Sequence, residues 1–134
     1  MMLLSEVAEA LTALLPYTTK RAATVAIAAH REGLEDAAVQ NALVQAAVNL
    51  AGATGESFRN DLPIHEPWLA MQRAAVDAAW AIIYALDGDE AEVRLLVHSV
   101  VEKARRAEDP YPACPGWYPN MIGQLETRLA ELGM

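Results

Sequence analysis

The stretch "PWLAMQRAAVDAAWAIIYALDG", residues 67–88, decides the fold of this chain. Its apolar side chains recur at nearly every position around a helical turn, and only Gln72, Arg73 and Asp77 mark a polar side. Pro67 suits the first turn of a helix, and Gly88 suits the residue that follows its end. A helix that is apolar nearly all round must be covered by other elements. We therefore predict a central fourth helix over 67–86.

The segments on either side of this helix repeat their apolar residues at helical spacing, and none alternates as a strand does. We predict five further helices: 3–15 (ended by Pro16), 18–31 (capped by Thr18 or Thr19), 34–52, a fifth opened by Asp89, and 120–132. Two irregular connections remain, over 52–67 and 108–120, the first with a helical turn near 56–60. The sequence thus predicts a single all-α domain over 1–134, a bundle of five to six helices.

Composition excludes several classes of protein. The chain has 134 residues and a net charge of -8, and its ten Lys and Arg residues are scattered, so we expect no nucleic-acid partner. A single cysteine cannot form a disulfide within the chain. No apolar run is long enough to cross a membrane, and the N-terminal stretch lacks the pattern of a signal peptide, so we expect a cytoplasmic protein without membrane contact.

Motifs that carry chemistry are missing from the sequence. It has no glycine-rich phosphate-binding loop and no nucleophile with an evident base. His98 and Glu102 have the spacing to share a metal ion, but Arg94 and Arg105 fall on the same helix face, which indicates a ladder of salt bridges instead. We expect no metal ion, no cofactor and no catalytic residues, so an enzyme is the less favoured class.

The third predicted helix has an unusual polar side, made of the neutral amides Asn41, Gln45 and Asn49 at every fourth residue. An exposed helix usually carries charge there. Amides suit a contact between helices, because their hydrogen bonds can be satisfied without removing a charge from water. Ordinary exposed polar residues explain the pattern equally well. We predict a homodimer interface at these three residues.

The second irregular connection, "EDPYPACPGWYPN" at 108–120, holds four of the seven prolines. Proline fixes the backbone and removes a hydrogen-bond donor, so this segment is stiff before it folds. Its aromatic residues Tyr111, Trp117 and Tyr118 can turn inward as a clasp over the bundle. They can also face outward as a partner-binding surface, since Trp and Tyr are enriched at binding hot spots. We name them as candidate partner-binding residues and leave the direction open.

These observations favour a non-enzymatic protein-interaction module of the inhibitor, immunity or adaptor type. We expect it to self-associate and to present an acidic surface to a basic protein partner. The alternative is a small-molecule-binding protein or an enzyme with a pocket between its helices. That pocket would draw on five residues: His65, Trp68, Trp80, Tyr84 and Cys114. It requires His65 and Cys114 to converge on one cavity.

Overall fold

The computed structural model describes the backbone of residues 2–59, 66–106 and 113–134, and the side chains of 3–54, 71–106 and 113–134. These residues form six α-helices and one 3-10 turn, with no strand among them. The elements are α1 (Met2–Leu11), the 3-10 turn (Thr12–Leu14), α2 (Tyr17–Arg31), α3 (Ala37–Arg59), α4 (Glu66–Leu86), α5 (Glu90–Arg106) and α6 (Trp117–Glu131). The helices pack in a single arrangement, which confirms the predicted all-α bundle.

The fourth helix is central, as predicted. It packs against α1, α2, α3 and α5, and its contact with α5 is the most extensive in the bundle. Between residues 71 and 86, its buried residues are small: Ala74, Ala75, Ala78, Ala79, Ala81 and Ala85, with Ile82 as the one large side chain of that stretch that is fully buried. Alanine lets neighbouring helices approach closely but buries little area itself. The large core side chains therefore come mainly from the helices around α4: Val7, Leu11, Leu43, Val93 and Val100.

The third helix differs from its predicted bounds at both ends. It begins at Ala37 because Asp36 caps it, its carboxylate accepting a hydrogen bond from the Ala38 N–H at 3.0 Å. It runs through Gly52 to Arg59, so the predicted break at Gly52 is wrong. Glycine inside a helix costs only about 1 kcal/mol. Packing outweighs that cost, since Thr54 is buried two residues further on.

The starts of α2 and α6 also correct the prediction. Pro16 precedes the first residue of α2, so neither Thr18 nor Thr19 caps that helix. The last helix begins at Trp117 rather than at Asn120, which places Pro119 in its first turn. The N–H groups of a first turn have no partner within the helix, so a proline there loses no hydrogen bond.

The fifth helix begins as predicted. Its entry follows Gly88, which has a φ of 78° and so takes the left-handed conformation that favours glycine. The Asp89 carboxylate then accepts a hydrogen bond from the Glu92 N–H at 3.2 Å and so caps the start of the helix. Among the residues that the structure describes, no helix combines the length and apolar character needed to cross a bilayer.

Candidate functional site

The exposed side of α3 forms one continuous stripe without charge over residues 38–52. We call it the neutral face: it consists of Ala38, Asn41, Gln45, Val48, Asn49 and Gly52, all of them exposed on one side of the helix. The side chain of Val48 is 47% exposed. No charged residue occurs in α3 between Ala37 and Gly55. The predicted interface residues Asn41, Gln45 and Asn49 therefore share one accessible face, and their contact with a second copy stays a prediction.

The aromatic residues of the second connection point in different directions. Tyr118 is buried, with 3% of its surface exposed, and its hydroxyl group donates a hydrogen bond to the Ala104 carbonyl oxygen at 2.7 Å. It is a clasp between α5 and α6, so its predicted place on a partner-binding surface is wrong in this fold. Trp117 is 51% exposed, and its contact with a partner stays a prediction. Tyr111 lies outside the described residues.

Three of the five residues of the predicted pocket can be placed, and they are Trp80, Tyr84 and Cys114. Cys114 is exposed, in the turn that precedes α6. Trp80 and Tyr84 are half-buried on α4, where they pack against the core. Neither they nor Cys114 line the apolar cavity described next. His65 and the side chain of Trp68 lie outside the described residues, so the required convergence of His65 and Cys114 is untested.

An apolar cavity of about 380 Å³ lies at one end of the bundle, where the 3-10 turn and four helices meet. We call it the end cavity: its walls include Leu14, Lys20, Leu50, Met71, Trp117 and Met121. Among the lining residues that the structure describes, only Lys20 carries a charge. Sequence reasoning missed this site, because the wall residues lie on five separate segments and share no motif.

Most of the basic side chains outside the end cavity are paired with carboxylates. The ion pairs are Arg31–Glu9, Arg94–Glu90, Lys103–Asp77, Arg105–Glu126, Arg106–Glu102 and Arg128–Glu131. One of them, Arg106–Glu102, belongs to the ladder predicted along α5, whereas Arg94 pairs with Glu90 and Arg105 pairs with Glu126 on α6. His98 is exposed beside this ladder. Within the described part of the chain, no three His, Cys, Asp or Glu side chains come together as metal ligands.

The pair between Arg105 and Glu126 is bidentate. Arg105 donates from Nε to Oε1 at 2.7 Å and from its terminal nitrogen to Oε2 at 2.8 Å. These hydrogen bonds lower the pKa of Glu126 below its ordinary value, with a smaller opposing effect from its partial burial. The pair joins α5 to α6 on the outside of the bundle, near the bond between Tyr118 and Ala104.

No protein-family model, curated protein or solved structure matches this chain.

Proposed function

We propose that this protein is a non-enzymatic interaction module that works as a homodimer, with the neutral face of α3 as the contact between the two copies. The observation that carries the proposal is an exposed helix face without charge on a chain whose net charge is -8. A soluble helix normally places charged residues on the side that faces water. Here amide, alanine, valine and glycine take those positions.

Electrostatic repulsion between acidic chains favours the neutral face as the place where a second copy binds. Two copies of an acidic chain repel each other wherever carboxylates meet, by about 1 kcal/mol per pair at 4 Å in water and about 4 kcal/mol near a protein surface. Contact through the neutral face avoids that repulsion. A strongly basic partner would instead gain most where carboxylates cluster, at residues 32–36 and 87–92 in and beside the connections between helices.

The chemistry of the neutral face also suits contact with itself. A two-fold axis brings the same surface patch of both copies together, so that residue i of one copy contacts residue j of the other and the reverse. The side chains of Asn41, Gln45 and Asn49 each contain a donor and an acceptor, so each can bond to the same residue type on the partner. Gly52 and Ala38 add no bulk, which allows the two helices to approach closely. Val48 supplies the apolar contact in the middle of the stripe.

The dimer leaves other surfaces for a different protein. The indole ring of Trp117 is half-exposed, and the carboxylates at 32–36 and 87–92 offer a surface to a partner of basic character. A stable scaffold with one homotypic face and one partner-binding surface is the arrangement expected of an inhibitor, immunity or adaptor protein. We place the function in that class.

The test is the mass of the particle in solution at micromolar concentration, measured by light scattering coupled to size exclusion. We expect the mass of two chains for the unchanged protein and of one chain for Gln45→Glu, because the substitution sets two carboxylates against each other at the two-fold axis. Gln124→Glu is the matched control, since Gln124 is an exposed amide on α6, and it should stay dimeric. The proposal is contradicted if the unchanged protein has the mass of a single chain. It is also contradicted if the Gln45→Glu variant stays dimeric.

A further inference from the structure

The end cavity has the properties of a binding site for a small ligand. Its volume of about 380 Å³ is at the lower end of the range of about 300–1,000 Å³ found for ligand pockets. Leu14, Leu50 and Met71 make its walls apolar, and Trp117 and Met121 from α6 close one side. Methionine side chains are flexible and polarizable, so such walls adapt to a flexible alkyl chain.

The charge at this cavity identifies the polar end of the ligand. Lys20 contributes to the wall, and its ammonium group makes no ion pair with any described carboxylate. The chain has 18 acidic and 10 basic residues, so this cation lacks a described partner although carboxylates are in excess. Lys20 also lies in the first turns of α2, whose N-terminus has no side-chain cap. The helix therefore adds positive potential at the same wall.

We propose that the end cavity binds a small amphipathic monocarboxylate, with its alkyl chain between Met71, Met121 and Trp117 and its carboxylate against the Lys20 ammonium group. The single charged group among the described wall residues, the Lys20 ammonium, matches a ligand with one negative charge. The net charge of -8 disfavours ligands with more negative charge, since the whole surface repels them. A cationic amphiphile would bring its charge against Lys20 and is excluded by the same geometry.

Isothermal titration calorimetry with three probes of equal chain length tests the proposal. The probes are octanoate, 1-octanol and octyltrimethylammonium. We expect one octanoate per chain, weaker binding of 1-octanol and no binding of the cation. Lys20→Gln should weaken octanoate about two- to fivefold, the range expected for an accessible ion pair, and leave 1-octanol unchanged. Arg21→Gln is the control, since Arg21 is the neighbouring exposed cation and does not line the cavity.

Two variants test whether binding takes place in the end cavity. Ala13→Phe puts a ring into the cavity from an exposed wall position and should abolish binding of octanoate and 1-octanol. Trp117→Ala removes part of the cavity wall and should weaken the binding of octanoate and of 1-octanol. This variant tests the location of binding if thermal unfolding shows that Ala13→Phe does not fold. The proposal is overturned if no probe binds at millimolar concentration or if 1-octanol binds as tightly as octanoate. Octanoate binding that Lys20→Gln leaves unchanged, or that the folded cavity variants leave unchanged, overturns it as well.

Discussion

The hydroxyl group of Tyr118 donates a hydrogen bond to the main-chain carbonyl oxygen of Ala104 at 2.7 Å. Ala104 lies in the last turn of α5, where carbonyl groups lack partners within the helix. Tyr118 lies in the first turn of α6 and is buried. One side chain therefore satisfies a buried carbonyl and holds the start of α6 against the end of α5.

Tyr118→Phe should lower the free energy of unfolding by about 1–2 kcal/mol, because the Ala104 carbonyl loses its partner while the ring still fills its place. Tyr118→Ala should cost about 3–5 kcal/mol, since the cavity left by the ring adds to the loss. Urea denaturation followed by circular dichroism measures both. Tyr17→Phe is the control: Tyr17 is 79% exposed and its variant should match the unchanged protein. Equal stability of Tyr118→Phe and the unchanged protein would contradict this role.

Asp77 links the two helices in the most extensive contact of the bundle. Its Oδ2 accepts hydrogen bonds from Ser99 Oγ at 2.8 Å and from Lys103 Nζ at 2.5 Å, both on α5. The Asp77 side chain is 18% exposed and that of Lys103 is 38% exposed. We expect Asp77→Ala to destabilise the fold by about 1–3 kcal/mol, because two donors lose their acceptor. Chemical denaturation gives the value.

A double-mutant cycle isolates the Asp77–Lys103 pair from the rest of the contact. We expect Asp77→Ala and Lys103→Ala to be non-additive by at least about 0.5 kcal/mol. The exposed pair Glu102–Arg106 serves as the comparison and should show coupling of no more than about 0.5 kcal/mol. If the two pairs show equal coupling energies, the Asp77–Lys103 pair stabilises the fold no more than an exposed ion pair does.

Stability should depend on pH through Glu126. Its pKa is lowered in the folded protein by the hydrogen bonds from Arg105, so the ionised carboxylate favours the folded state. The contribution is present in full above the pKa of the unfolded chain and is lost as the pH falls through the lower, folded pKa. We expect the urea midpoint to fall between about pH 5 and pH 3, and to fall less steeply in Glu126→Gln.

Arg105→Gln provides the internal check on that pH dependence. If the Arg105–Glu126 pair is the cause, Arg105→Gln should also reduce the fall of the urea midpoint between about pH 5 and pH 3. The double variant should show the same pH dependence as either single variant. If the urea midpoint of Glu126→Gln falls with pH as steeply as that of the unchanged protein, the pH dependence arises from other groups.

Two glycines of the last helix should respond to alanine in opposite directions. Gly116 precedes α6 with a φ of 82°, a left-handed conformation that costs a residue with a Cβ about 1–2 kcal/mol. Gly123 lies inside α6, and a Cβ added there would meet no atom within 4 Å. Gly116→Ala should therefore destabilise the protein, and Gly123→Ala should stabilise it by up to about 1 kcal/mol. Thermal unfolding distinguishes them, and a shift of the same sign for both would contradict the assignment.

Local sequence was sufficient to predict the helical class, the central position of α4 and several helix ends. The apolar pattern of 67–86 leaves that helix no side to expose to water, so other helices must cover it. Asp89 and Gly88 act within a few residues along the chain, and their effects follow from backbone chemistry alone. The same local rules failed at Gly52 and Thr18, where packing or a preceding proline determined the helix bounds.

The placement of side chains between distant elements depended on tertiary structure. Nothing in "PGWYP" indicates that Tyr118 turns inward to Ala104 while its neighbour Trp117 turns outward, because burial depends on which helix lies against each residue. The end cavity likewise joins residues from Lys20 to Met121 that no periodicity connects. The sequence by itself determined an all-α chain whose third helix has no charge from Ala37 to Gly55, since both follow from residue types at helical spacing. Only the tertiary structure decided which side of that helix is exposed and where a cavity forms, because both depend on how separate helices pack.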